Sequence, residues 1–142
     1  MDKVTISEVK SEEKTSGLQF FETRIQAGFP SPAQNEYADT IDLNRALITN
    51  PAATFCARVI GNSMVDAGIN DGDLLIIDRS ITPHDGSIAV CFIDGDFTVK
   101  RLAVRDDGIY LMPANSKFPE MKVLECSDFQ VWGVVSHIVK KV

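Results

Sequence analysis

The sequence predicts a mainly β domain built from short, strongly twisted sheets. Three observations carry that expectation. Short apolar runs recur along the chain, each bounded by Gly, Pro, Asn or Asp. An Asp94-Gly95 pair sits between two such runs, the pattern of a tight hairpin. Sustained helical periodicity is almost missing, so helices cannot supply the layers of the fold.

In chain order, Met1 to Thr15 is charged and polar, and Val4, Ile6 and Val9 alternate poorly. This predicts a mobile arm with at most a short strand. Leu18, Phe20, Phe21 and Ile25 are apolar enough to need a docking place. Tyr37 to Ile48 reads as a short helical segment ended by Pro51. Phe55 to Ile60 reads as a strand, and Ser63 to Ala67 as one helical turn closed by Gly68. Ile69 to Asp73 is a turn into Leu74 to Ile77, a buried strand, and Pro83 to Gly86 is another turn. Ser87 to Ile93, then Asp94-Gly95, then Asp96 to Val104 forms the hairpin, with a type I′ turn. Asp106 to Gly108 turns into a short strand over Ile109 to Pro113. Ala114 to Ser116 is a turn with no catalytic role assigned, and Phe118 to Met121 is irregular. Phe129 to Val139 is the last strand, its second half apolar enough for core or interface, with Trp132 as a packing residue.

Composition narrows the function classes. The 142 residues suit one domain with a real core, and 44% hydrophobic residues is ordinary for a globular chain. A formal charge of -6 argues against non-specific DNA binding through the whole surface. Cys56, Cys91 and Cys126 are odd in number, widely spaced and in apolar surroundings, which reads as core thiols in a reducing compartment. His84 and His137 lie far apart without zinc spacing, and no cofactor is implied. No apolar stretch approaches a membrane span and no signal peptide is visible, so a soluble cytoplasmic protein is expected.

The chemistry concentrates in Gly61-Asn62-Ser63-Met64-Val65 and in Lys100. A serine after a glycine at a strand-to-helix turn can present its hydroxyl to a bound chain, with a nearby backbone N–H for an oxyanion. It can equally be a plain helix N-cap. On a strand, Thr98, Lys100 and Leu102 share one face, and Phe97, Val99 and Arg101 the other. A lysine beside Leu102 can be partly buried, and desolvation favours the neutral amine that can act as a base. The alternative is a surface lysine on an edge strand with its stem along apolar surface.

Ile60 to Met64, Gly68 to Asp78 and Val99-Lys100-Arg101 resemble the self-cleaving proteins of the bacterial SOS response, the family of LexA, the phage repressors and UmuD. The resemblance runs over roughly Phe20 to Val142, with the motifs in the family's order and spacing. It implies a LexA/UmuD-type peptidase domain and a Ser–Lys dyad, with Ser63 as nucleophile, Lys100 as base, and backbone N–H groups at Asn62 and Ser63 for the oxyanion. Within Ala27 to Ala33, Pro30 and Pro32 make a plain extended linker one reading. The other is a cleavage site: Ala27 is small, and Gly28 carries no side chain to block a nucleophile. The pair resembles the family's scissile bond, Ala-Gly as in LexA, where UmuD relatives often have Cys-Gly.

The implied organisation is an arm, 1–27, removed by self-cleavage, and a β-rich peptidase domain, 28–142. The segment before Ala27-Gly28 lacks two helical periods joined by a tight turn, which sets this chain apart from the repressors. By the resemblance, the product is the active accessory subunit of an error-prone translesion DNA polymerase. The implied partners are a second copy of the chain, the RecA filament on single-stranded DNA as trigger, and a UmuC-like polymerase subunit, with no sequence-specific DNA binding. Two other readings compete. One is a non-catalytic β-rich module that only binds a polymerase, opposed by the presence of both Ser63 and Lys100. The other is a LexA-like regulator fragment, opposed by the acidic charge.

Overall fold

The structure is a computed structural model that describes residues 3–8, 18–20, 27–28 and 39–142. Its strands in chain order are β1 (Lys3–Glu8), β2 (Leu18–Phe20), β3 (Asp39–Ile41), β4 (Thr54–Ile60), β5 (Leu74–Asp78), β6 (Ile88–Ile93), β7 (Asp96–Arg105), β8 (Gly108–Met112), β9 (Met121–Lys122) and β10 (Phe129–Val139). One short helix, α1 (Leu43–Leu47), follows β3. The chain divides into two compact units, Ser11–Thr49 and Met1–Lys10 with Asn50–Val142. The mainly β expectation holds.

In the smaller unit, β2 and β3 pair antiparallel, Leu18 opposite Ile41. Among the described residues of the expected Tyr37–Ile48 helix, only Leu43–Leu47 is helical. Thr40 and Ile41 are β-branched and pair as strand. Asp42 then starts α1 as its N-cap, its carboxylate accepting the Asn44 N–H at 3.0 Å. Pro51 does not stop that helix but opens a separate 3₁₀ turn, Pro51–Ala53, where its missing N–H costs nothing. Tyr37, Phe21 and Ile25 lie outside the described residues.

The larger unit is one antiparallel sheet in the order β1-β4-β5-β10-β6-β7-β8-β9. The arm carries more structure than its weak alternation suggests. All of β1 pairs with β4, from Lys3 opposite Ile60 to Glu8 opposite Phe55, with Val4 and Ile6 packed on the core. Position 9, where the alternation fails, is outside the described residues, as are 10–17. The β6–β7 hairpin forms as read, with Asp94 and Gly95 at φ 48° and 89°, both positive as a type I′ turn requires. Strand β10 has the expected limits, and its register shifts around Gly133. A Cβ there would sit 2.5 Å from Ile77 Cγ2, so only glycine lets the two strands approach.

Alternation along β6 and β7 builds two cores. Val90 and Val99 join Ala57, Val59, Met64, Ile69, Leu75 and Ile77. Ala89, Cys91, Ile93 and Leu102 join Leu111 on the opposite face. Trp132 is a packing residue: its ring meets Phe55 and Phe97 edge-on, and the Arg79 guanidinium lies 4.6 Å from its centre. Two expectations need correction. Cys126 is exposed in the turn before β10 and is no core thiol, while Cys91 is buried and Cys56 half-buried. Met121, expected in an irregular stretch, forms β9 with Lys122 against β8.

The end of β10 is tied back to the turn before β5. Burial pushes the Asp73 carboxyl up, but the Lys140 ammonium and the Asn70 N–H outweigh it and hold the pKa below the usual carboxylate value. A depressed folded-state value stabilises the fold above the unfolded pKa of about 3.9, and that contribution is lost as pH falls through the folded value. Lys140→Met should therefore lower the urea midpoint at pH 7, and the gap to the parent should close as pH falls below about 4.

Candidate active site

Ser63 is set by what surrounds its loop. Where β4 ends, the Gly61 N–H donates to Asp71 Oδ1 at 2.8 Å, and the Gly72 N–H donates to the Val59 carbonyl at 2.8 Å. The Asp71-Gly72-Asp73 turn thus braces the exit of β4. Beyond Ser63 comes a 3₁₀ turn, Val65–Ala67, ended by Gly68 at φ 81°. From the other side, the Ala114 N–H donates to the Ser63 carbonyl at 2.7 Å, and Asn115 Nδ2 to the Asn62 carbonyl at 2.9 Å. The Asp66 N–H donates to the Ala114 carbonyl at 2.7 Å. The 114–115 segment is thus stitched along the serine loop.

The plain N-cap reading of Ser63 does not hold. The residue at the N-cap of the 3₁₀ turn is Met64, and no side chain caps it. Ser63 is fully buried rather than displayed at a surface tip. The edge-strand reading of Lys100 also fails, since β7 runs between β6 and β8 and Lys100 is 7% exposed. Lys100 Nζ donates to Ser63 Oγ at 2.8 Å, to Thr98 Oγ1 at 2.9 Å and to the Val99 carbonyl at 3.1 Å. Thr98 is itself fully buried.

These partners suit either protonation state. An ammonium can donate to all three. A neutral amine donates twice and accepts once. The Val99 carbonyl can only accept, whereas each of the two hydroxyls can also donate to the lone pair. Cys91, opposite Thr98 in the β6–β7 ladder, stays a thiol: burial pushes it up to about 12, with the Lys100 charge acting the other way.

Of the sequence-predicted site residues, the fold brings Ser63 and Lys100 into hydrogen-bond contact, with Asn62 beside them. Ala27 and Gly28 are exposed in the smaller unit. Gly28 has φ +121°, a conformation that side-chain-bearing residues rarely adopt. Sequence reasoning put Thr98 on the lysine's face but gave it no part. It gave none to Asn115 either, whose contact with Asn62 joins loops far apart in the chain. A groove beside the serine loop is lined by Asp66, Met112, Asn115, Phe118 and Glu120.

The peptidase S24-like family profile matches residues 19–136, most of the chain and all of the site just described. The chain belongs to the peptidase S24-like family. Protein MucA of Salmonella typhimurium is 42% identical to it over 136 residues, which cover 95% of this chain and 92% of MucA. Protein ImpA of the same organism is 44% identical over 121 residues, 85% of this chain and 82% of ImpA. The LexA repressor of Stenotrophomonas maltophilia (strain R551-3) is 36% identical over 117 residues, 82% of this chain but 55% of the repressor. The resemblance to LexA and UmuD read from the motifs is thus borne out. Family and relatives together support a self-cleaving peptidase role in SOS mutagenesis. No helix among the described residues is long and apolar enough to cross a membrane.

Proposed function

We propose that Ser63 and Lys100 are a catalytic dyad that cuts the chain's own Ala27–Gly28 bond. The observation that carries this is the 2.8 Å contact between Lys100 Nζ and Ser63 Oγ, deep in a family of peptidases. Neutral Lys100 takes the Ser63 hydroxyl proton, and Oγ attacks the Ala27 carbonyl carbon. Backbone N–H groups at Asn62 and Ser63 hold the oxyanion. Collapse breaks the C–N bond, and Lys100 returns the proton to the Gly28 amine. Water, activated by the same amine, then hydrolyses the Ala27 ester and restores Ser63.

The products are 1–27 and 28–142. The small fragment carries β1, the strand that pairs with β4 in the intact chain. In this reading 28–142 works in the cytoplasm as a homodimer, is released when the RecA filament on single-stranded DNA triggers cleavage, and joins a UmuC-like subunit in translesion synthesis. The exposed Ile138 and Val139 at the end of β10 offer apolar surface for the second copy.

Incubation with RecA filament followed by mass measurement tests the proposal. The large fragment should begin Gly28-Phe29-Pro30-Ser31-Pro32; a different first residue removes the Ala27–Gly28 assignment. Gly28→Val should block cleavage, because the φ of +121° is strained for a β-branched residue and the branch crowds the carbonyl under attack. The same change at Ser31 should alter the rate far less.

A further inference from the structure

We infer that Asn115 is a positioning residue for acyl transfer: its side chain orients the Asn62–Ser63 peptide, and so aims the Ser63 N–H. The inference rests on the dyad reading above and extends it to the loop after β8. The described peptides are trans, so a carbonyl and the N–H of its own peptide point in opposite directions. Asn115 Nδ2 draws the Asn62 carbonyl toward the 114–115 loop at 2.9 Å. The Ser63 N–H therefore faces the other way. The Ala114 N–H does the same to the next peptide by holding the Ser63 carbonyl at 2.7 Å. One of the two N–H groups proposed for the oxyanion, that of Ser63, thus has its direction set by this loop before any charge develops; the Ala114 bond sets the Met64 N–H, which lies outside that pair.

The amide's orientation follows from its neighbours. Asn115 Oδ1 accepts the Lys117 N–H at 3.0 Å, which leaves Nδ2 as the atom facing the Asn62 carbonyl. The loop backbone is fixed separately, since the Phe118 N–H donates to the Asn115 carbonyl at 3.0 Å. Position 115 can lose its side-chain donor while the backbone bonds of Ala114 and Phe118 remain. None of the three Lys100 bonds described above runs through Asn115. The consequence is specific: Asn115 governs how fast the bond breaks and leaves the titration of the base alone.

The experiment is unassisted self-cleavage of the full chain across alkaline pH, with the folded fraction followed by circular dichroism. Asn115→Asp keeps the size and the acceptor for Lys117 but sets an acceptor against the Asn62 carbonyl. Asn115→Ser, too short to reach Asn62, runs in parallel in case the aspartate unfolds the loop. The expected result is a high-pH plateau lowered about tenfold or more in both variants, short of the 10²–10³ typical of deleting an oxyanion donor outright, with the half-maximal pH unchanged in Asn115→Ser, which adds no charge. A plateau within about twofold of the parent overturns the inference, as does a loss that appears only as a shifted half-maximal pH. Unfolding of both variants overturns it too, because the bond would then hold the fold rather than one peptide. Ser63→Ala and Lys100→Met in the same assay separate the two levels. If they cleave normally the dyad is wrong; if they are silent and both Asn115 variants match the parent, only the role of Asn115 is wrong.

Discussion

Ser63→Ala should stop cleavage at Ala27–Gly28 and leave the folded chain in place. The hydroxyl is fully buried, and when it is lost Lys100 Nζ still reaches Thr98 Oγ1 and the Val99 carbonyl. The cost to stability should be about one hydrogen bond, roughly 1 kcal/mol. The kinetic cost is of another order, on the scale of a millionfold when a serine peptidase loses its nucleophile. Cys91 is no substitute, because a buried thiol with its pKa pushed up to about 12 holds almost no thiolate at neutral pH. Incubation with RecA filament should therefore return only the intact mass from folded Ser63→Ala protein. A truncated product at the parent rate would take Ser63 out of the mechanism.

Much of this site was legible because its parts obey local rules. The Asp94-Gly95 turn fixes the β6–β7 register, and that register puts Lys100 opposite Ala89 with Thr98 and Leu102 on its face. Period-two alternation was enough to expect a partly buried lysine. The misses arise where long-range partners overrule local pattern. Lys3 to Glu8 has little to recommend it as a strand until β4 offers an edge. Asp39 to Ile41 becomes strand because β2 pairs with it, against a weak helical period. Ser63 was expected near the surface, as turn residues usually are. Nothing in its own segment shows that 114–115 closes over its backbone. Cys126 was read from apolar neighbours in sequence, but Leu124 beside it is exposed as well, so that apolar character faces outward.

Self-cleavage without any trigger should accelerate with pH, and Lys100→Met should remove both the activity and its pH dependence. The base must be an uncharged amine. At the ordinary lysine pKa of about 10.4, roughly one molecule in 2,500 is uncharged at pH 7, a cost of about 4.6 kcal/mol. While the protonated form dominates, each pH unit yields about ten times more of the reactive form, so the logarithm of the rate should climb with unit slope. The climb ends at the pKa the amine has in the folded chain. The total rise between pH 7 and the plateau therefore measures how far the site already favours the neutral form. A full rise of about 2,500-fold corresponds to no help from the fold, and a smaller one to help already given. Methionine keeps the length of the stem and deletes the amine, leaving the Ser63 and Thr98 hydroxyls without that partner at a cost of about 1–3 kcal/mol. Rates must therefore be read on the folded fraction. A parent rate that shows no climb at any pH at which the chain stays folded, the acidic side of neutrality included, with the position of the 27–28 segment unchanged, would contradict Lys100 as the base. So would a folded Lys100→Met protein that still accelerates with pH at unit slope.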